Sequence, residues 1–186
     1  MKQVGELMQE AIEAMESGAT DAAFAITCAA VTETLKKSLE TENLSGTDYQ
    51  NFIKQHWRLL TFMGLPQALP LPLAVEFNLT KIFHGFTLRG AEDLILHLVR
   101  QTALMGKLPP QFRFHSGGVL EIRNNQVFVP ATFVGGLLGI VIFQPVNKNE
   151  TVPDKYWLNI SDFKMFISEL WGRIDLAERV MKFYLD

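Results

Sequence analysis

Cysteine is nearly absent: Cys28 is the single one in 186 residues, which excludes an internal disulfide and fits a reducing compartment. The four histidines, His56, His84, His97 and His115, show no HxxxH or HExxH spacing. With one thiol available, no zinc cluster can be built from them. No apolar run is long enough for a bilayer. The longest, residues 131–143, falls short of the roughly 18 to 20 residues a crossing needs and holds Gly135, Gly136 and Gly139. The opening stretch Gly5 to Glu16 is acidic and amphipathic rather than continuously apolar, unlike a secretory signal. A cytoplasmic protein with no membrane partner is the expectation. No Gly-X-Ser-X-Gly elbow occurs, and the glycine run 135–139 has no following Lys-Ser/Thr, so neither a serine hydrolase elbow nor a phosphate loop is implied. Those glycines read as helix-packing or turn residues, and no metal or cofactor is called for.

A strong excess of positive charge is also missing, with 17 Lys+Arg against 20 Asp+Glu. Counted along the chain, residues 1–45 carry three basic and eight acidic groups, residues 46–115 seven and four, and residues 116–186 seven and eight. A sequence-independent nucleic-acid binder needs a basic stripe, since neutralising phosphates supplies most of its affinity. Any anion site here is local and lies in the middle third.

What the chain does have is apolar residues at helical spacing. With 48% hydrophobic and 20% charged residues it has ordinary globular composition, and 186 residues suit one domain. Val4, Leu7, Met8, Ala11, Ile12 and Met15 share a helix face that Gly18 closes. A second helix starts at Thr20 or Asp21 and ends near Lys36 and Lys37; its Ala22–Val31 half is apolar on nearly every side, which predicts a central helix holding a buried Cys28. A third runs from about Thr47 to Met63 and is stopped by Gly64 and Pro66. Pro66, Pro70 and Pro72 then set an extended connector, residues 73–89 are ambiguous, and a fourth helix runs from Glu92 and Asp93 to Met105.

The period then changes. Gln111–His115 and Val119–Val129 read as strands, with Arg123 to Gln126 turning a β-hairpin. Residues 131–143 suit a buried helix or strand, with length favouring helix. Ser161 is placed to cap a last long helix with Phe163, Phe166, Ile167, Leu170, Trp171, Ile174, Ala177, Val180, Met181 and Tyr184 on its apolar face. The expected fold is mainly α: a single domain 1–186 with a bundle of five or six helices (1–105 and 131–186) and an inserted hairpin at about 111–129. The last helix buries its stripe inside the bundle or against a second copy, and a homodimer is expected.

Two stretches carry a family resemblance. Ala11-Ile12-Glu13-Ala14-Met15-Glu16-Ser17-Gly18, leading into Asp21-Ala22-Ala23-Phe24-Ala25, and Leu98-Val99-Arg100-Gln101-Thr102-Ala103-Leu104-Met105-Gly106 resemble the HEPN (higher eukaryote and prokaryote nucleotide-binding) domains. Those are helical bundles, often dimeric, and many are ribonucleases marked by Arg, four to six residues, then His on a late helix. The resemblance implies a module tied to RNA or nucleotide handling. Met105 stands where the four-residue spacing requires His, and Met can neither exchange a proton nor stabilise an oxyanion, so the implied module is degenerate and non-catalytic. At roughly 100° per residue, Met105 projects beside Leu94 and Leu98 into the core, while His97, Arg100 and Gln101 form a polar strip able to contact one ligand or partner chain.

Alternatives stay open at these residues. Arg100 also suits a salt bridge that fixes helix packing, and His97 a hydrogen-bonded structural role. Trp57, Trp157, Trp171 and the phenylalanines suit packing, or stacking on bases. Three functions follow: a binding or regulatory module related to RNA or nucleotides, a homo-oligomeric structural or interaction protein without a nucleic-acid ligand, and an active ribonuclease.

Overall fold

The computed structural model describes residues 2–65, 91–160 and 163–185, and the fold over them is mainly helical with small sheets. The seven α-helices among these residues are α1 (Val4–Glu16), α2 (Thr20–Leu39), α3 (Gly46–Gln55), α4 (Trp57–Gly64), α5 (Ala91–Met105), α6 (Thr132–Ile142) and α7 (Ile174–Leu185). Five short strands complete it: β1 (Phe112–His115), β2 (Glu121–Arg123), β3 (Gln126–Pro130), β4 (Trp157–Ile160) and β5 (Phe163–Phe166). The ambiguous residues 73–89 lie outside the described ones.

Local chemistry sets the helix ends. At the start of α1, the Glu6 carboxylate accepts from the Gln3 amide at 3.0 Å. At α3, Ser45 and Asp48 cap each other: the Asp48 carboxylate accepts the Ser45 amide at 2.6 Å, and Ser45 Oγ accepts the Asp48 amide at 3.3 Å. The Ser45 hydroxyl, which donates to the Asp48 carboxylate at 2.7 Å, and then the Ser45 amide hold that carboxyl below its usual range. The α2 helix closes on Glu40 in the left-handed region, with φ +51°.

The predicted central helix is found. The α1, α5 and α6 helices all pack on α2, and Phe24, Cys28 and Val31 are fully buried. Burial pushes the Cys28 thiol well up. Phe24 stacks at 5.1 Å on Phe114 of β1 and at 6.0 Å on Phe133 of α6, tying the sheet to the bundle. The stretch left open between helix and strand at 131–143 is the helix α6, buried almost all round. Its glycines serve packing: α4 crosses so closely that a Cβ on Gly136 would lie 2.8 Å from Gly64 Cα, and Thr132 Oγ1 donates to the Gly64 carbonyl at 2.8 Å.

The inserted sheet is larger than one hairpin. The predicted turn joins β2 to β3, with Asn124 and Asn125 both left-handed, at φ +51° and +57°, as a tight two-residue turn requires. β1 runs parallel to β3 on its other side, giving the order β1-β3-β2. The predicted third helix is two, because the chain bends at His56 (φ −104°, ψ 10°).

The predicted last helix from Ser161 is corrected. Residues 157–166 form an antiparallel β4–β5 pair, Ile167–Glu169 is a single 3-10 turn, and only Ile174–Leu185 is α-helical. Ser161 itself lies outside the described residues. Two patterns competed in this stretch: Trp157-Leu158-Asn159-Ile160 alternates exposed and buried side chains at period two. Gly172, at φ +74°, then breaks any helix running through 163–184.

Candidate functional site

The expected strip lies on α5, which packs on α2 and α3. Leu94, Ile95, Leu98 and Val99 fill its buried side. His97 and Gln101 are half-buried and Arg100 is exposed. The Arg100 guanidinium lies across the first residue of α3, where a Cβ on Gly46 would come within 2.9 Å of its Cζ. Glycine is what allows that approach. No ion pair joins Arg100 to a described residue, so the salt-bridge reading finds no acidic partner among them. Burial, reinforced by the Arg100 charge, depresses the His97 pKa below the ordinary imidazole value.

The core placement of Met105 is corrected: it is 44% exposed, and Leu104 beside it 66%. Met105 is the last residue of α5, and Gly106 at φ +66° turns the chain away immediately after it. The projection was right for the middle of the helix and failed at its end, beyond the cover that buries Leu94 and Leu98.

A second feature was hidden by the long-helix reading. Phe163 is 45% exposed and Phe183 75%. Both contact Tyr184, at 6.2 and 5.4 Å between ring centroids, and Tyr184 is anchored at 6.0 Å on Phe62 of α4. Along α7, Leu176, Val180 and Phe183 fall on one side at helical spacing, the first two only partly buried. Beside this row Asp175 binds Arg173 at 3.0 Å and Arg179 at 2.8 Å, which holds its pKa down at about 2. On the other face of the hairpin Trp157 pairs with Phe166 across the strands, and Lys164 Nζ lies 3.0 Å over the Trp157 ring. This cross-strand cluster shields an otherwise bare two-stranded sheet. Period-two alternation over 157–160 was the sequence signal that could have exposed the aromatic row.

On the opposite flank of α7 lies a cleft of about 540 Å³ lined by Gln55, His56, Arg58, Leu59, Ile174, Glu178, Met181 and Lys182. One of its lining residues, His56, belongs to a polar network. Gln144 Nε2 donates to His56 Nε2 at 2.8 Å and to the Ile140 carbonyl at 2.9 Å. Both amide hydrogens are therefore used, His56 Nε2 must accept, and its Nδ1–H donates to the Phe52 carbonyl at 2.8 Å. Burial keeps this imidazole neutral by lowering its pKa. Among the described residues, no group of three His, Cys, Asp or Glu side chains is placed to hold a metal ion. No helix among them is long and apolar enough to cross a membrane.

Fold and surfaces together define a mainly helical protein with small sheets. The chain belongs to the Rv1289 family, whose model matches residues 3–185. It is similar to "Uncharacterized protein Rv1289" of Mycobacterium tuberculosis (strain ATCC 25618 / H37Rv), with 24% identity over 184 residues that cover 91% of this chain and 83% of the relative. "Uncharacterized protein Mb1320" of Mycobacterium bovis matches to the same extent. No solved structure matches the chain. This membership overturns the HEPN resemblance, since a different family accounts for nearly the whole chain. The two stretches behind that resemblance lie on α1, the start of α2 and the end of α5, and apolar residues at helical spacing are common to helical bundles in general.

Proposed function

We propose that this protein is an interaction module that works as a homodimer, pairing through the outer face of α7. The observation that carries this reading is Phe183, left 75% exposed at the end of a row with Leu176 and Val180 and beside Phe163. Large aromatics in water mark contact surfaces when they cluster. Phe183 and Phe163 leave roughly 200–250 Å² of aromatic surface per copy. A stable interface buries about 600–1,000 Å² per partner, so the partly exposed Leu176, Val180 and Tyr184 and their polar border must join it. At this border Arg173 and Arg179 are both tied to Asp175, so each guanidinium already has a carboxylate partner within its own copy. A buried free thiol at Cys28 fits work in the cytoplasm.

Hydrogen exchange over a protein concentration series tests the reading. Protection of amides 176–184 should rise with concentration in the wild type and stay flat in Phe183→Ser. Protection independent of concentration at every dilution removes the dimer, and protection that appears only on adding a cell extract points to a foreign partner instead.

A second reading keeps His97, Arg100 and Gln101 as a contact surface for an anionic ligand such as RNA or a nucleotide. Arg100 supports it, as an exposed guanidinium beside the amide end of α3 with no ion pair to a described residue. RNA retained at low salt by the wild type and lost in Arg100→Ala sustains it; no retention at low salt, where attraction is greatest, ends it.

A further inference from the structure

We infer that the cleft between the α3–α4 junction and α7 is a binding site for a small molecule with an oxyanion head, carboxylate or phosphate monoester, on a short apolar body. The inference is independent of the dimer, which uses the other flank of α7. A volume of about 540 Å³ falls within the roughly 300–1,000 Å³ of small-molecule sites, which pair an apolar lining with a few placed polar groups.

This cleft is divided in that way. Leu59 and Met181 are buried beneath it with Ile174 partly covered beside them, a floor for an apolar body. Two cations line it from different helices, Arg58 from the first turn of α4 and Lys182 from α7. Both are exposed, and neither forms an ion pair with a described residue. Glu178 is one helical turn from Lys182, where an ion pair would be expected, yet none is made. With His56 held neutral, the lining carries two positive charges against one negative. An oxyanion between Arg58 and Lys182 would meet a guanidinium fork and an ammonium without displacing an existing pair. The His56–Gln144 bond anchors His56, two residues before Arg58 in the chain.

Histidine-selective NMR of the full chain, titrated with hexanoate, hexyl phosphate, inorganic phosphate and hexanol, tests this. The site predicts a saturable shift of the His56 signals with hexanoate or hexyl phosphate, whichever head is preferred, while His97 and His115 stay in place. Arg58→Gln and Lys182→Gln should each weaken binding about tenfold, and Glu178→Gln should strengthen it. Both cations are exposed, so the variants should keep the wild-type circular dichroism, and unchanged His97 signals confirm their fold. Three results would each overturn the site: no saturation by either amphiphile below ~10 mM, affinity unchanged in both cation variants, or hexanol binding as well as hexanoate.

Discussion

The α6 helix and the α7–hairpin unit are both rich in large apolar residues, and they use them in opposite ways. The α6 helix is buried almost all round, because α2 and α4 cover it and the Gly64–Gly136 crossing brings backbones into contact. The α7 helix buries Ala177 and Met181, leaves Leu176 and Val180 half covered, and holds Phe183 in water. Apolar content alone does not say which region is core; the number of packed neighbours does. The α6 helix therefore accounts for stability, and the proposal assigns association to α7.

The comparison can be broken at its stable end first. Phe133→Ala removes a fully buried ring of α6 that stacks on Phe24 and should cost about 4 kcal/mol, read from urea unfolding. Gly136→Val forces a side chain against the Gly64 backbone and should cost about 3 kcal/mol, a melting-temperature drop of roughly 6–12 °C. If both variants melt within a degree of wild type, α6 is not the structural centre.

A smaller, pH-dependent effect comes from the imidazoles. The folded-state pKa values of His56 and His97 are both depressed below the ordinary value, chiefly by burial. The unfolded chain therefore takes up protons at about pH 6.5, where the folded one does not. Their contribution is present above that pH and is lost as pH falls through 6.5 toward the lower folded values. The urea midpoint should be lower at pH 5.5 than at 7.5, and His56→Gln should flatten part of that difference; an equal slope in the variant would show that His56 is not its source. The smallest stability effect belongs to Phe183→Ser. Solvent already surrounds most of that ring, so the monomer should lose no more than about 0.5 kcal/mol while association is lost.

Much of the bundle was legible in the sequence. Strong 3.6-residue spacing and Gly18 located α1, Thr20 or Asp21 and the Lys36–Lys37 end located α2, Asn124 and Asn125 marked the β2–β3 turn, and the length of 131–143 favoured α6 as a helix. The C-terminal third misled for a physical reason: Phe163, Phe166, Ile167, Leu170 and Trp171 satisfy a helical period by coincidence, and nothing local shows that Gly172 adopts φ +74°. Met105 misled because a helical projection has no end effects. Of the expected site, the adjacency of His97, Arg100 and Gln101 follows from helix geometry, but the approach of Arg100 to Gly46 joins residues 54 positions apart in sequence and no local pattern encodes it. The cleft is equally non-local, since Arg58 and Lys182 meet only through the tertiary fold.

The central claim is that the exposed row of α7 joins two copies of the chain. Static light scattering of the wild type and of the Phe163→Ser/Phe183→Ser variant, over a micromolar concentration series, measures it directly. Twice the chain mass for the wild type and the single-chain mass for the variant is the predicted result. A single-chain mass for both at every concentration, or a dimer that survives the double substitution, would contradict it.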